Sequence, residues 1–308
     1  MHSIIIINCA ICNMNSSNPD AKDLTDGGVV GHLTFSIPSD GINKSTPLKI
    51  RLNLAATDDE NQGENETNTG FVMWPSAVML SHHLAKNPRI WRGDDTPNGD
   101  VMELGAGCGL AGLTAAALLQ NDAGNDDKVT FTDYNPSVLK NLRRNILLNE
   151  FDVDHEVLGL DWFDQQSGGD GGEVASEREE NTWVDMEGNS HGQFRLVLGA
   201  DLIVCSNDAD LVATTVDSSL MEGGIAVILG ASADVRFGVS DFPDACRSLG
   251  LTVRVDENIL EAYEGTGEED GSQKQLVDGL ELGGYNQRAC TYGHDFTMFT
   301  INKPITSS

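Results

Sequence analysis

The stretch VMELGAGCGLAGLTAAALL, from Val101 to Leu119, constrains the fold more than any other part of the chain. Val101 to Leu104 reads as a short buried strand. Gly105, Gly107, Gly109 and Gly112 punctuate the turn that follows, and an Ala/Leu-rich helix begins behind them. The glycines let backbone pass close to a ligand, and the first helical turn carries N–H groups with no partner inside the helix. Strand, glycine turn and helix start together make a nucleotide-type binding site. Dinucleotide-binding folds use such a turn as well, so the flanking residues decide between ligands. Glu103, just before the first glycine, puts a carboxylate where it opposes a pyrophosphate but can accept hydrogen bonds from a neutral or cationic ligand. A second apolar strand, Val129 to Thr132, ends at Asp133, where a carboxylate can accept both hydroxyls of a ribose. Asp is also common at helix N-caps, but Asn135, immediately before Pro136, fills that position better.

A ligand with a ribose and a positive charge but no phosphate suits this pair of acids, and S-adenosylmethionine is such a ligand. ELGAGCGLAG resembles the first motif of the class I (seven-β-strand) methyltransferases, and TDYNPSVLKNLRRNILLNE resembles their second. GFVMWPSAVMLSHHL (Gly70 to Leu84), LDW (Leu160 to Trp162) and LGADLIVCS (Leu198 to Ser206) resemble further motifs of the family 16 protein-lysine methyltransferases, in that family's order. The resemblance runs from about Gly70 to Leu251, with a last strand near the C-terminus. It implies methyl transfer from S-adenosylmethionine to a lysine side chain of a protein. It also implies a cofactor site made by Trp74, Glu103, Gly105, Ala106, Gly107, Asp133, Trp162 and Ala200, with Asp201 as the catalytic residue.

A tryptophan usually packs in a core; the motif positions of Trp74 and Trp162 favour contact with adenine instead. Ala200 ends the fourth strand of the sheet, the edge where open α/β sheets hold ligands, and its small side chain permits close approach. Asp201 follows it. A carboxylate there can hold a lysine ε-ammonium and help it lose its proton, or it can cap the next turn. The family pattern has an aromatic, usually Tyr, three residues later, where this chain has Val204. That departure keeps a small amine or another protein side chain open as acceptor. A non-catalytic binding module with a degenerate pocket is a third reading, opposed by the presence of both Glu103 and Asp133.

The net charge of −29 over 308 residues argues against nucleic acid or an anionic membrane as partner and favours a basic, lysine-bearing protein. Acidic loops that merely keep the protein soluble are the plainer explanation of the same number. The six cysteines are single apart from Cys9 and Cys12, and read as reduced thiols of the cytoplasm, with the nucleus as a second compartment. No histidines or cysteines are spaced for a metal: His82 and His83 are adjacent and turn to different sides of a helix. Asn15, Asn43 and Asn65 begin glycosylation-type triplets, read here as chance composition. MHSIIIINCAIC has too short an apolar run, and no basic start, for a signal peptide, and no stretch reaches membrane-spanning length. A monomer is expected.

Residues 1–28 show no period and read as a disordered leader. Residues 29–69 hold a hairpin, His32–Ile37 and Leu48–Ala55, followed by the acidic linker Thr57–Glu66. Residues 70–308 form the main domain, beginning with an amphipathic helix over Pro75–Leu84. Strands are expected at Val101–Leu104, Val129–Thr132, Glu156–Leu160, Phe194–Ala200, Gly224–Leu229 and Leu251–Val255. Helices are expected at Leu110–Leu119, Pro136–Asn149, Asp208–Leu220 and Val239–Leu249. This alternation predicts an α/β fold: a doubly wound, mostly parallel, seven-stranded Rossmann-like sheet. Phe296–Asn302 supplies its antiparallel last strand, inserted beside the fifth. Two acidic insertions, 163–193 and 263–288, interrupt the scheme; the first has eight acids against Arg178 alone. Both read as mobile surface loops.

Overall fold

The computed structural model describes residues 32–37, 48–53, 69–87, 90, 99–120, 127–166, 182–257, 259 and 296–305. The leader 1–28, the linker 57–66, the insertion 263–288, Cys9, Cys12, Cys290 and the three glycosylation-type asparagines lie outside them. Strands β1 (His32–Ile37) and β2 (Leu48–Asn53) pair antiparallel, His32 opposite Asn53 and Ile37 opposite Leu48, as the alternation predicts.

The main sheet has seven strands. Those labelled β3 (Val101–Leu104), β4 (Val129–Asp133), β5 (His155–Gly159), β8 (Phe194–Ala200), β9 (Leu220–Ala231), β10 (Thr252–Asp256) and β11 (Phe296–Asn302) lie in the order β10-β11-β9-β8-β3-β4-β5. The last strand, β11, runs antiparallel between β9 and β10, where the sequence places it. β3 is parallel to both of its neighbours, β4 and β8. The chain therefore winds outward from β3 to β5 and then returns to β8 on the other side of β3. Such a reversal leaves a crevice at the carboxyl ends of the central strands, which is where open sheets bind ligands.

Helices cover both faces. α1 (Pro75–Lys86), α2 (Leu110–Gln120) and α3 (Pro136–Asn149) enclose one apolar cluster, which includes Leu80, Leu113, Phe131 and Leu142. α5 (Ser206–Ser219) and α6 (Phe242–Ser248) enclose the other, with Val212, Val216, Phe242 and Phe299. α2 is buried on every side but its last residue, so its Ala/Leu composition reflects burial in the core. Asn135 caps α3, its side chain accepting from the amides of Ser137 and Val138, with Pro136 in the first turn. The final helix is shorter than its sequence pattern suggests, since residues 232–240 form successive turns and Pro243 sits in its first turn.

The insertion 163–193 departs further from expectation. Trp162–Gln166 is a short helix, α4, and Trp183–Val184 (β6) pairs with Ser190–His191 (β7). Trp183 is fully buried in the second cluster and stacks on His191 at 4.5 Å, while its indole N–H donates to the Gly192 carbonyl at 2.9 Å. Asp185 closes the turn between β6 and β7, accepting from the amides of Glu187 and Asn189 and pairing with His191 Nε2 at 2.8 Å. One large aromatic thus anchors the end of a stretch whose acidity reads as solvated loop.

β2 docks on α3 through an asparagine ladder. Asn141, Asn145 and Asn149, four apart on one helix face, act as substitute strand partners. Asn145 accepts from the Asn53 amide at 2.7 Å and donates to the Asn53 carbonyl at 3.3 Å; Asn149 does the same for Arg51, at 2.7 and 2.8 Å. Asn141 adds a second donor to the Asn53 carbonyl at 2.9 Å. Asn145 also donates to the Cys108 carbonyl at 2.9 Å, joining this outer strand pair to the glycine turn. Asn145→Ala removes three hydrogen bonds to backbone groups of Asn53 and Cys108. It is expected to cost about 1–3 kcal/mol in urea denaturation, and a change within experimental error would mean that Asn145 does not hold β2 in place.

Candidate functional site

The crevice at the carboxyl ends of β3, β4 and β8 is a cavity of about 580 Å³. Its wall includes every residue that the sequence singles out: Trp74, Glu103, Gly105, Ala106, Gly107, Asp133, Trp162, Ala200 and Asp201. It also includes Arg236, which belongs to no sequence motif.

The glycine turn is drawn tightly onto the sheet. The Ala106 amide donates to the Thr132 carbonyl at 2.8 Å, and the Thr132 hydroxyl donates to the Glu103 carbonyl at 2.8 Å. Gly107 has φ +52, and a Cβ on it would stand 3.2 Å from the Gly70 carbonyl oxygen. Any side chain there would be strained in its backbone and crowded besides. Asp133 closes the turn from the next strand: Oδ2 accepts from the Gly107 amide at 3.1 Å and Oδ1 from the Asn135 amide at 3.0 Å. Each carboxylate oxygen keeps a lone pair, so two ribose hydroxyls can still be received. Burial pushes the Asp133 carboxyl above its ordinary range, against the pull of those backbone bonds.

Glu103 does something the sequence does not show. Its side chain turns under the start of α2, where Oε2 accepts from the Gly112 amide at 2.9 Å, and the residue is 2% exposed. A Cβ on Gly112 would lie 2.5 Å from that oxygen, so this approach depends on glycine. The carboxylate faces the positive end of the helix. Burial still dominates and raises its pKa to about 8, with the Gly112 and Ala111 amides pulling it down and Asp133 pushing it up.

Trp74 is the N-cap residue of α1, carried there by the extended backbone before Pro75. Trp162 opens α4, and a Cβ on Gly105 would touch its ring at 3.3 Å, which places the indole beside the turn. Both rings are half-buried at the cavity wall. Cys108 also lines the cavity, buried, its thiol pushed up to about 12 mainly by burial. Cys205 does not line the cavity. It is exposed at the N-cap of α5, where its amide and that of Val204 donate to Asp208 at 2.8 and 2.9 Å.

Asp201 has φ +57, an uncommon conformation for a residue with a side chain, and its amide donates to the Leu229 carbonyl at 2.8 Å. Its carboxylate is 2% exposed and forms an ion pair with Arg236, Nη2 to Oδ2 at 3.2 Å. The Arg236 guanidinium stands 5.6 Å from the centre of the Trp74 ring. The sequence places a lone carboxylate here; the structure has a carboxylate already paired with a cation. Arg236 lies in the irregular turns after β9, with no motif around it, so no sequence signal marks it. Val204 is 49% exposed on the rim. Among the described residues no acidic, histidine or cysteine cluster is arranged to hold a metal ion.

The sequence family described as lysine methyltransferase matches residues 56–170. Among curated proteins, the chain is 31% identical over 144 residues to calmodulin-lysine N-methyltransferase of Arabidopsis thaliana, covering 45% of this chain and 42% of that protein. It is 33% identical over 140 residues to the human protein-lysine N-methyltransferase EEF2KMT, covering 44% and 34%. A third relative, the protein-lysine N-methyltransferase EFM2 of Saccharomyces cerevisiae, is 26% identical over 165 residues, covering 51% and 36%. The chain thus spans less than half the length of these relatives. Among solved structures it is similar to a methyltransferase from Pyrococcus furiosus, with TM-score 0.39, 12% identity, and 70% of this chain and 80% of that one covered. The motif resemblance to the family 16 lysine methyltransferases is borne out by the family match and the curated relatives.

Glu103 gives the site a pH signature. Its carboxyl titrates near 4.5 ordinarily and near 8 when folded. Between those values the unfolded chain releases this proton and the folded chain keeps it, so on this account stability falls as pH rises from about 4.5 to about 8. Glu103→Gln lacks that slope. Its stability relative to the parent, read from urea unfolding, should improve by about 1 kcal/mol per pH unit across this window. A difference independent of pH would show that Glu103 is ionised in the folded protein.

Proposed function

We propose that this chain is an S-adenosylmethionine-dependent methyltransferase whose acceptor is a lysine side chain of a protein. One observation carries the cofactor reading: the amides of Gly107 and Gly112 are already bonded to the carboxylates of Asp133 and Glu103. In a phosphate-binding turn, such amides face the ligand. Here they serve the protein's own acids, and the cavity wall carries Asp133, Asp161, Asp201 and Asp208 against Arg236. That electrostatics repels a pyrophosphate and suits a ribose-bearing cation.

In this reading Asp133 holds the ribose, Trp74 and Trp162 give flat apolar faces for adenine, and Gly105, Ala106, Gly107 and Ala200 let the ligand lie against backbone. When bound, S-adenosylmethionine supplies an electrophilic methyl group on a sulfonium. The protein's part is to place the acceptor nitrogen in line with that methyl and keep water away. Asp201, at the end of β8, is the group placed to accept an N–H from the acceptor. The lysine acceptor rests on the family match and on the relatives' names. The net charge of −29 favours a basic substrate surface over nucleic acid or an anionic membrane. The free thiols Cys108, Cys205 and Cys246 suit a reducing compartment, cytoplasm or nucleus. Exposed Val204, in place of an aromatic, favours a small amine as the second reading.

Calorimetry with S-adenosylhomocysteine tests the cofactor site, and a folded protein that binds none would refute it. Asp133→Ala should weaken that binding by about 2–3 kcal/mol, roughly 30- to 150-fold, while the fold survives. Asp201→Asn should bind the same ligand near-normally but lose transfer of labelled methyl from cofactor to proteins of a lysate. Equal losses of affinity in both variants would remove the distinction between a binding acid and a catalytic acid. Label confined to small molecules would favour the second reading.

A further inference from the structure

The methyltransferase reading leaves Arg236 without a task. Three groups from separate parts of the fold meet around it: Trp74 at the start of α1, Asp201 at the end of β8, and the guanidinium itself from the turns after β9. An aromatic face beside a carboxylate is a receptor for a cation. Here the chain fills that receptor with a side chain that cannot give up its proton. The pair is well buried, with side-chain exposures of 14% for Arg236 and 2% for Asp201. Asp201 Oδ2 is taken by Arg236, whereas Oδ1 is buried and has no hydrogen-bond donor among the described residues. A buried acceptor with no donor is costly, which marks Oδ1 as the place where a ligand N–H is wanted.

We propose that Arg236 is a specificity-determining residue of the acceptor site: it makes the site select an uncharged amine over the corresponding ammonium. The proposal rests on the methyltransferase reading and goes beyond it. An amine without charge can donate an N–H to Asp201 Oδ1 and meets a pair whose net charge is zero. An alkylammonium there leaves water for a partly buried pair with no net charge, where the repulsion of the guanidinium offsets the attraction of Asp201. The selection matters chemically, because only an amine with its lone pair free can be alkylated. Arg236 thereby also compensates for Val204, which has no ring with which to surround the nitrogen. The other titratable acids lining the cavity are Glu103, Asp133, Asp161 and Asp208. Asp208 is engaged by the amides of Val204 and Cys205, and Asp161 by the amide of Phe163 at 2.9 Å. All four are unchanged when only Arg236 is replaced.

The test uses the full chain saturated with S-adenosylhomocysteine and two probes at one pH. The first is N-acetyl-lysine methylamide, whose side chain is an ammonium at neutral pH. The second is its uncharged analogue with a hydroxyl in place of the ammonium, which keeps a donor for Asp201 Oδ1. The parent and Arg236→Lys should both bind the neutral probe more tightly than the cation. In Arg236→Gln the ratio of the two affinities should shift toward the cation by about tenfold or more. An unchanged ratio in Arg236→Gln would overturn the proposal. So would a parent that prefers the cation or binds neither probe, and that comparison needs no variant to fold. A folded parent without affinity for S-adenosylhomocysteine would refute the methyltransferase reading and this inference with it. Normal affinity for that ligand with an unshifted ratio would refute the role of Arg236 alone.

Discussion

Two carboxylates hold the turn on which the site depends. Glu103 and Asp133 lie on adjacent parallel strands, and each reaches one amide of the glycine-rich connection, at Gly112 and Gly107. Burying the two acids is unfavourable, as the upward displacement of both carboxyls shows. What offsets the cost is a set of otherwise orphaned amides at a helix start, which a negative group satisfies. The arrangement defines the ligand by exclusion. Amides that could have held phosphate are occupied, and the remaining acceptor capacity of Asp133 faces a cavity with an acidic wall.

The turn is supported from outside the sheet as well. Asn145 bonds at once to β2 and to the Cys108 carbonyl, so the N-terminal strand pair, α3 and the glycine turn share one polar side chain. A buried amide used in this way rigidifies its surroundings because each of its bonds constrains the others. The strand pair thereby bears on the binding turn while remaining apart from the main sheet.

The cavity wall around Asp201 is assembled differently. Trp74, Asp201 and Arg236 come from three segments far apart in sequence, and no two of them share an element. Their meeting turns an acidic strand end into a neutral ion pair with an aromatic wall, a different chemical surface from a lone carboxylate. Val204 leaves the rim open where a ring would have closed it.

The architecture was legible in the chain because each of its signals is local. Apolar strands broken by Gly and Pro, the Asn135–Pro136 cap and the glycine turn all act within a few residues, and the strands Val101–Leu104, Phe194–Ala200 and Phe296–Asn302 lie where the pattern puts them. The cavity residues were legible for the same reason, since parallel strands deliver their carboxyl ends to one edge. What the chain alone did not disclose depends on partners distant in sequence. Trp183 lies in an acid-rich stretch, and only the apolar cluster beneath it decides that it is core. Glu103 was read as facing the ligand, yet close approach to Gly112 gives it to the helix start. Asp201 carries its charge in any reading of the sequence. Whether that charge stands alone is decided by an arginine 35 residues later, in turns that follow no period, which tertiary packing alone brings to it.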